Sequence, residues 1–136
     1  MSEEVFDPVR KRLVALTPEE GVRQQVIHYL HDHLAYPLEL MCVEGSISLN
    51  GMQRRCDIVV FSKTLVPVMI VECKRPNVTI NQSVLDQASR YNMVLRVPYL
   101  YLTNGRQHIV LKVDAEHATL TQLPTLPTWQ ELNGMV

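Results

Sequence analysis

The chain has 136 residues, 46% of them hydrophobic and 20% charged, with a net charge of −1. That length supports a hydrophobic core without staples, and the composition excludes a disordered or fibrous chain. The near-zero charge excludes a global electrostatic pull toward nucleic acid, although the basic residues are mostly arginine, whose forked guanidinium suits phosphate and carboxylate.

Residues 1–16 mix charges of both signs and predict an arm or short hairpin. Thr17-Pro18-Glu19-Glu20 announces a helix: Thr17 as N-cap, Pro18 at the first helical position and Glu20 closing a capping box. Val22, Val26, Ile27, Leu30 and Leu34 place an apolar stripe on that helix to about His33, and Tyr36-Pro37 ends it. A strand is expected from Glu39 to Asn50, with Asn50-Gly51 as a hairpin turn, and a second from Gln53 to Phe61. After a turn at 62–65, Val66 to Lys74 reads as the most apolar strand, covered on both faces. Val84, Ala88, Tyr91 and Leu95 mark a second amphipathic helix from about Ile80 to Arg96. Strands at Pro98–Thr103 and Arg106–Val113 follow, joined by Asn104-Gly105.

The tail, 114–136, is expected to be irregular, with Trp129 docked on the body or on a second copy. These elements define one α/β domain of order αβββαββ, with a mixed sheet flanked by helices and a core at about 17–113. Cys42, Cys56 and Cys73 lie in strand-like segments without a C-x-x-C pair, so they are expected as buried, reduced thiols. No apolar stretch is long enough for a membrane span and no leader opens the sequence, so the expected location is cytoplasmic.

Glu72 and Lys74 end the most apolar strand. Residues two apart on a strand share a face, so both point together while Cys73 points away. The triplet alone is equally a salt bridge where the strand surfaces. Asp57, the sole acid of its own strand, is carried by the hairpin turn to the Glu72 end. Two carboxylates so placed repel each other in a dry site, and a divalent cation with hard oxygen ligands, Mg²⁺ or Mn²⁺, cancels that repulsion. Beside such an ion, Lys74 would orient water or hold charge building on a phosphate. Arg10-Lys11-Arg12, Arg54, Arg55 and Arg75 are phosphate candidates, each equally read as a surface charge. His28, His31 and His33 cluster at a helix end and read as a solvated face.

The stretches "TPEEGVRQ" (17–24), "RRCDIVVF" (54–61), "VPVMIVECKRP" (66–76), "DQASRYN" (86–92) and "YLTNG" (101–105) together resemble the PD-(D/E)XK nuclease superfamily, and within it the N-terminal nuclease domain of type I restriction enzyme R subunits. The resemblance implies a restriction-endonuclease-like fold and a Mg-dependent endonuclease that cuts DNA. By it, Asp57, Glu72 and the Cys73 carbonyl would hold the metal, with Lys74 catalytic. Glu20 matches an additional acidic position, against its reading as a cap. Gln87 and Tyr91 match a Q-x-x-x-Y element that would touch DNA or support the site, against Tyr91 as core. Cys56 replaces the family's proline, which contributes no ligand. No G-x-x-x-x-G-K-[ST] loop is present, so ATP binding by that route is not expected. The implied partners are DNA and other restriction-system subunits or a motor protein, with a homodimer left open. The alternative is a nuclease fold with weak activity of its own that binds DNA or serves assembly, and RNA or a nucleotide remains an open substrate.

Overall fold

The computed structural model describes residues 3–49 and 51–134. The opening hairpin is present as β1 (Glu4–Asp7) and β2 (Arg12–Ala15). Its turn is built by Asp7, whose carboxylate accepts from the amides of Val9 and Arg10 at 2.7 and 2.8 Å, with Lys11 at φ 56°. An aspartate that bonds the backbone two and three residues on fixes such a turn locally.

Helix α1 (Pro18–His28) starts where expected, with Thr17 Oγ1 accepting from the Glu20 amide at 3.1 Å. The capping box is half made, because the Glu20 carboxylate goes to Arg10 and Arg23 instead. A single π-helical turn, Tyr29–His33, replaces the regular helix expected to His33. The stripe of Val22, Val26, Ile27 and Leu30 is buried against the sheet.

Six strands form one sheet in the order β3 (Met41–Leu49), β4 (Met52–Phe61), β5 (Pro67–Cys73), β6 (Tyr99–Thr103), β7 (His108–Asp114) and β8 (Thr119–Leu123). Among the described residues only the β5–β6 pair is parallel, and α2 (Gln82–Leu95) makes its crossover. Asn50 of the expected hairpin turn lies outside the described residues, while Gly51 has φ 80°. Val68, Met69, Ile70 and Val71 on β5 are fully buried, Met69 and Val71 against α1 and Ile70 against α2. Continuous apolarity is what a strand between two helical layers requires. Asn81 caps α2 by accepting from the Val84 amide, and Arg96 ends it in the left-handed conformation. The Asn92 amide ties α2 to the next strand through Val97 O and Tyr99 O.

Two expectations are corrected. The tail is ordered: β8 pairs with β7, and α3 (Trp129–Gly134) packs back on the body. The Trp129 ring lies 5.6 Å from that of Tyr36, tilted by 58°; the Tyr36 hydroxyl donates to Pro127 O, and the Trp129 amide bonds Leu34 O. The β8 residues Thr-Leu-Thr-Gln-Leu are mostly exposed, so no alternation marks the strand. Cys42 is exposed, on the edge strand β3, whereas Cys56 and Cys73 are buried as expected. Burial, the largest effect, pushes the Cys56 thiol up to about 11, and it raises Cys73 as well.

Candidate active site

The hairpin of β4 and β5 registers Ile58 with Val71, so Asp57 and Glu72 come next in line on the two strands. On its other side, β4 pairs with β3 at Ile58↔Val43 and again at Cys56↔Gly45, with Glu44 between them at φ 56°. This kink in the edge strand sits opposite Asp57. Cys56 packs with the α2 layer and Ile58 with the α1 layer, so β4 turns over at Asp57.

Each carboxylate has its own arginine, from opposite layers. Asp57 accepts from Arg23 of α1 at 2.9 Å and from the Cys73 amide at 2.8 Å. Glu72, buried, is paired with Arg54, whose guanidinium lies 3.9 Å over the Tyr91 ring of α2. Burial most of all, and then the nearby Asp57 charge, raise the Glu72 carboxyl, with Arg54 and Lys74 pulling the other way. The costly strand-end charges expected from sequence are therefore met by arginine, as buried charge requires.

Arg23 is a hub. It reaches Glu20 at 2.9 Å, Asp57 at 2.9 Å, Glu44 at 3.5 Å and Glu19 at 3.6 Å, and its Nε has no hydrogen-bond partner. Arg10 extends the network from Glu20 to Asp7. Glu20 thus faces Arg10, Arg23 and Gln24, and the helix acid that meets Asp57 is its neighbour Glu19. Burial, followed by the Asp57 charge and a hydrogen bond with it, pushes the Glu19 carboxyl up, while Arg23 and Lys74 lower it. Sequence reasoning passed over Glu19. Its signal was present, since Glu19 and Arg23 are four apart and lie on one helix face.

Lys74 follows β5, its amide bound to Thr103 O at 2.8 Å. Its charge is felt by both Glu72 and Glu19, yet it forms no ion pair among the described residues. Tyr91 packs against the α2-side core, as its core reading has it, while its ring carries Arg54. Arg55 is exposed and pairs with Glu44 at 2.9 Å. Gln87 and Arg75 are exposed, and no described hydrogen bond or ion pair ties either to the carboxylates. His28 and His31 engage Asp32 and the Tyr36 carbonyl instead of this network.

Among the described residues no group of three or more His, Cys, Asp or Glu side chains could hold a metal ion. A cation at Asp57 and Glu72 would rest on two carboxylates and a backbone carbonyl. That all-oxygen donor set fits Mg²⁺ or Mn²⁺, which keep several waters. It also requires the two arginines to yield. A polar cleft of about 500 Å³, lined by Arg10, Arg12, Glu19, Glu20, Arg23 and Glu44, runs between the opening hairpin and α1 beside these groups.

Among solved structures, the chain is similar to a fragment assigned as an HsdR subunit of a type I restriction enzyme from Vibrio vulnificus YJ016. The TM-score is 0.59 at 23% identity, over 86% of this chain and 24% of that one, so this chain spans about a quarter of that fragment. It is also similar to a protein assigned as a nuclease of the DUF820 group from Anabaena variabilis, with a TM-score of 0.55 at 9% identity over 91% of this chain and 87% of that one. At such identities both likenesses speak to the fold, which is restriction-endonuclease-like. No curated protein matches the chain. The family model described as type I restriction enzyme R protein N terminus (HSDR_N) matches residues 18–127, from the first turn of α1 to the approach to α3. The chain belongs to this family of type I restriction enzyme R protein N termini.

Proposed function

We propose that this domain is a Mg²⁺- or Mn²⁺-dependent endonuclease that hydrolyses DNA phosphodiester bonds within a multi-subunit restriction system. The observation that supports this best is that Asp57 and Glu72 lie in line at one end of the β4–β5 pair, with Lys74 and the helix acid Glu19 near enough for charge to act between them. Asp57, Glu72 and the Cys73 carbonyl would hold the cation. A bound Mg²⁺ would supply a water acidic enough to attack at neutral pH and a counter-charge for phosphate. Glu19 would act through a water, the role that the resemblance gives to Glu20. Lys74, with no ion pair of its own among the described residues, is available to hold charge on a phosphate oxygen. Exposed Arg55 and Arg75 offer backbone contacts, and Gln87 lies on the α2 surface nearby in sequence to Tyr91.

Plasmid DNA incubated with the protein and Mg²⁺ is expected to be cut. Asp57→Asn, Glu72→Gln and Lys74→Met should each lower the rate by about 10²-fold or more while melting as folded proteins. Absence of cutting with every divalent metal, or variants that cut like wild type, would sink the proposal.

A second reading has one observation in its favour: both carboxylates are already neutralised by arginine. In that case the fold binds DNA or a partner subunit without chemistry. Salt-dependent DNA binding that survives Lys74→Met, with no cleavage by either protein, would support it. No described helix is long and apolar enough to cross a membrane, and a cytoplasmic setting is part of the same proposal.

A further inference from the structure

The two arginines that face the carboxylates are held differently. Arg23 is nearly enclosed and shared among four carboxylates, so it stays compensated if Asp57 is taken from it. Arg54 has one carboxylate among the described residues, Glu72, and one further contact, the face of Tyr91. Its side chain is 18% exposed at the margin of the sheet, next to the exposed Arg55. A guanidinium over an aromatic ring keeps its attraction while it turns, because the ring face is not a directional acceptor. Arg54 can therefore leave Glu72 without leaving Tyr91.

Glu72 is buried, and it is one of the two carboxylates proposed to hold the cation. Consider each ligand alone. A divalent cation bound to Glu72 would displace Arg54 and leave a second positive charge beside it. A DNA phosphate that drew Arg54 away would leave Glu72 buried and unpaired, which is costly. With both present, the cation neutralises Glu72 and the phosphate takes the guanidinium, a pairing that arginine makes with two parallel hydrogen bonds. Every charge is then matched.

We propose that Arg54 is an exchangeable counter-ion: it holds Glu72 before metal arrives and turns on Tyr91 to the DNA phosphate afterwards, so that metal and DNA each strengthen the binding of the other. This rests on the nuclease reading and adds to it a specific coupling through a residue that ligates nothing in the metal-bound state. The coupling is reciprocal by thermodynamic necessity.

The test is calorimetric titration of Mn²⁺ into the full chain, with and without a short duplex, all in a Lys74→Met background that keeps the DNA intact. With Arg54 present, the duplex should tighten Mn²⁺ binding about tenfold. Arg54→Gln should bind Mn²⁺ more tightly without DNA, and the duplex should then change the affinity by no more than about twofold. Equal coupling in both proteins, or a Mn²⁺ affinity without DNA that Arg54→Gln leaves unchanged or weakens, overturns the exchange and leaves the nuclease reading standing. No Mn²⁺ binding in any arm overturns both. If Arg54→Gln proves unfolded by thermal melting, the ¹⁵N side-chain signal of Arg54 in the Lys74→Met chain decides, with diamagnetic Mg²⁺ as the cation. It should move when Mg²⁺ displaces Arg54 from Glu72 and move again when duplex joins the Mg²⁺-bound chain, and a signal that stays fixed at either step defeats the idea.

Discussion

At the scale of single residues, Arg23 sets the electrostatics of the α1 layer. Burial lowers its tendency to hold a proton, but the hydrogen bond to Asp57 and the charges of Glu20, Asp57 and Glu44 outweigh it and keep the guanidinium strongly charged. Arg23→Met would leave Glu20 and Asp57 facing one another's surroundings without their shared cation. We expect a loss of about 3–5 kcal/mol, read as a lower urea midpoint. Asp7 carries the acid sensitivity of the opening hairpin. Burial pushes its carboxyl up, but the Arg10 and Val9 amides and the Arg10 guanidinium together bring it below its ordinary value. A depressed carboxyl contributes stability that is full above its unfolded value and lost as pH falls through the folded one. Wild type should therefore lose more stability than Asp7→Asn between neutral pH and about pH 3 in paired urea titrations. At this scale the hairpin register that brings Asp57 in line with Glu72 was legible. Glu19 was not, because the choice between two adjacent acids depends on which arginines lie nearby, and Arg10 comes from a hairpin that sequence only sketched.

Among the elements, the legible ones carry a physical signature of their own. Helix α1 has its stripe and N-cap, β5 its unbroken apolar run, and α2 its stripe ending at a left-handed Arg96. The missed elements, β8 and α3, lack that signature. β8 is an exposed edge strand, and α3 has only six residues. Yet α3 had a legible start. Thr128 and Glu131 form a complete capping box, with Thr128 Oγ1 accepting from the Glu131 amide and the Glu131 carboxylate accepting from the Thr128 amide, both at 3.2 Å. The proline- and threonine-rich run before it hid this pattern. The box at Thr17 is the reverse case, present in sequence and half used, since tertiary ion pairs recruited Glu20. Because Trp129 fills the space beside Tyr36, Trp129→Ala should cost about 3–5 kcal/mol by urea denaturation. A change near zero would mean that α3 does not hold the body together.

For the whole molecule, the net charge of −1 gives no long-range attraction to DNA, so the proposed DNA binding would have to come from local arginines at the site end. Each phosphate contact adds about 0.9 to the slope of log affinity against log salt. Arg75→Ala and Arg55→Ala should each lower that slope by about one contact without changing Mn²⁺ affinity, as measured by anisotropy of a labelled duplex across a salt series. An unaltered slope would place the DNA elsewhere on the surface. The central claim, that Asp57 and Glu72 grip one cation, is tested most directly by anomalous scattering from a crystal soaked in Mn²⁺. The account predicts a single strong peak bounded by the Asp57 and Glu72 carboxylates and the Cys73 carbonyl, with Arg54 turned away from Glu72. A crystal in which Mn²⁺ sits elsewhere, or binds nowhere while Arg23–Asp57 and Arg54–Glu72 stay paired, would contradict it.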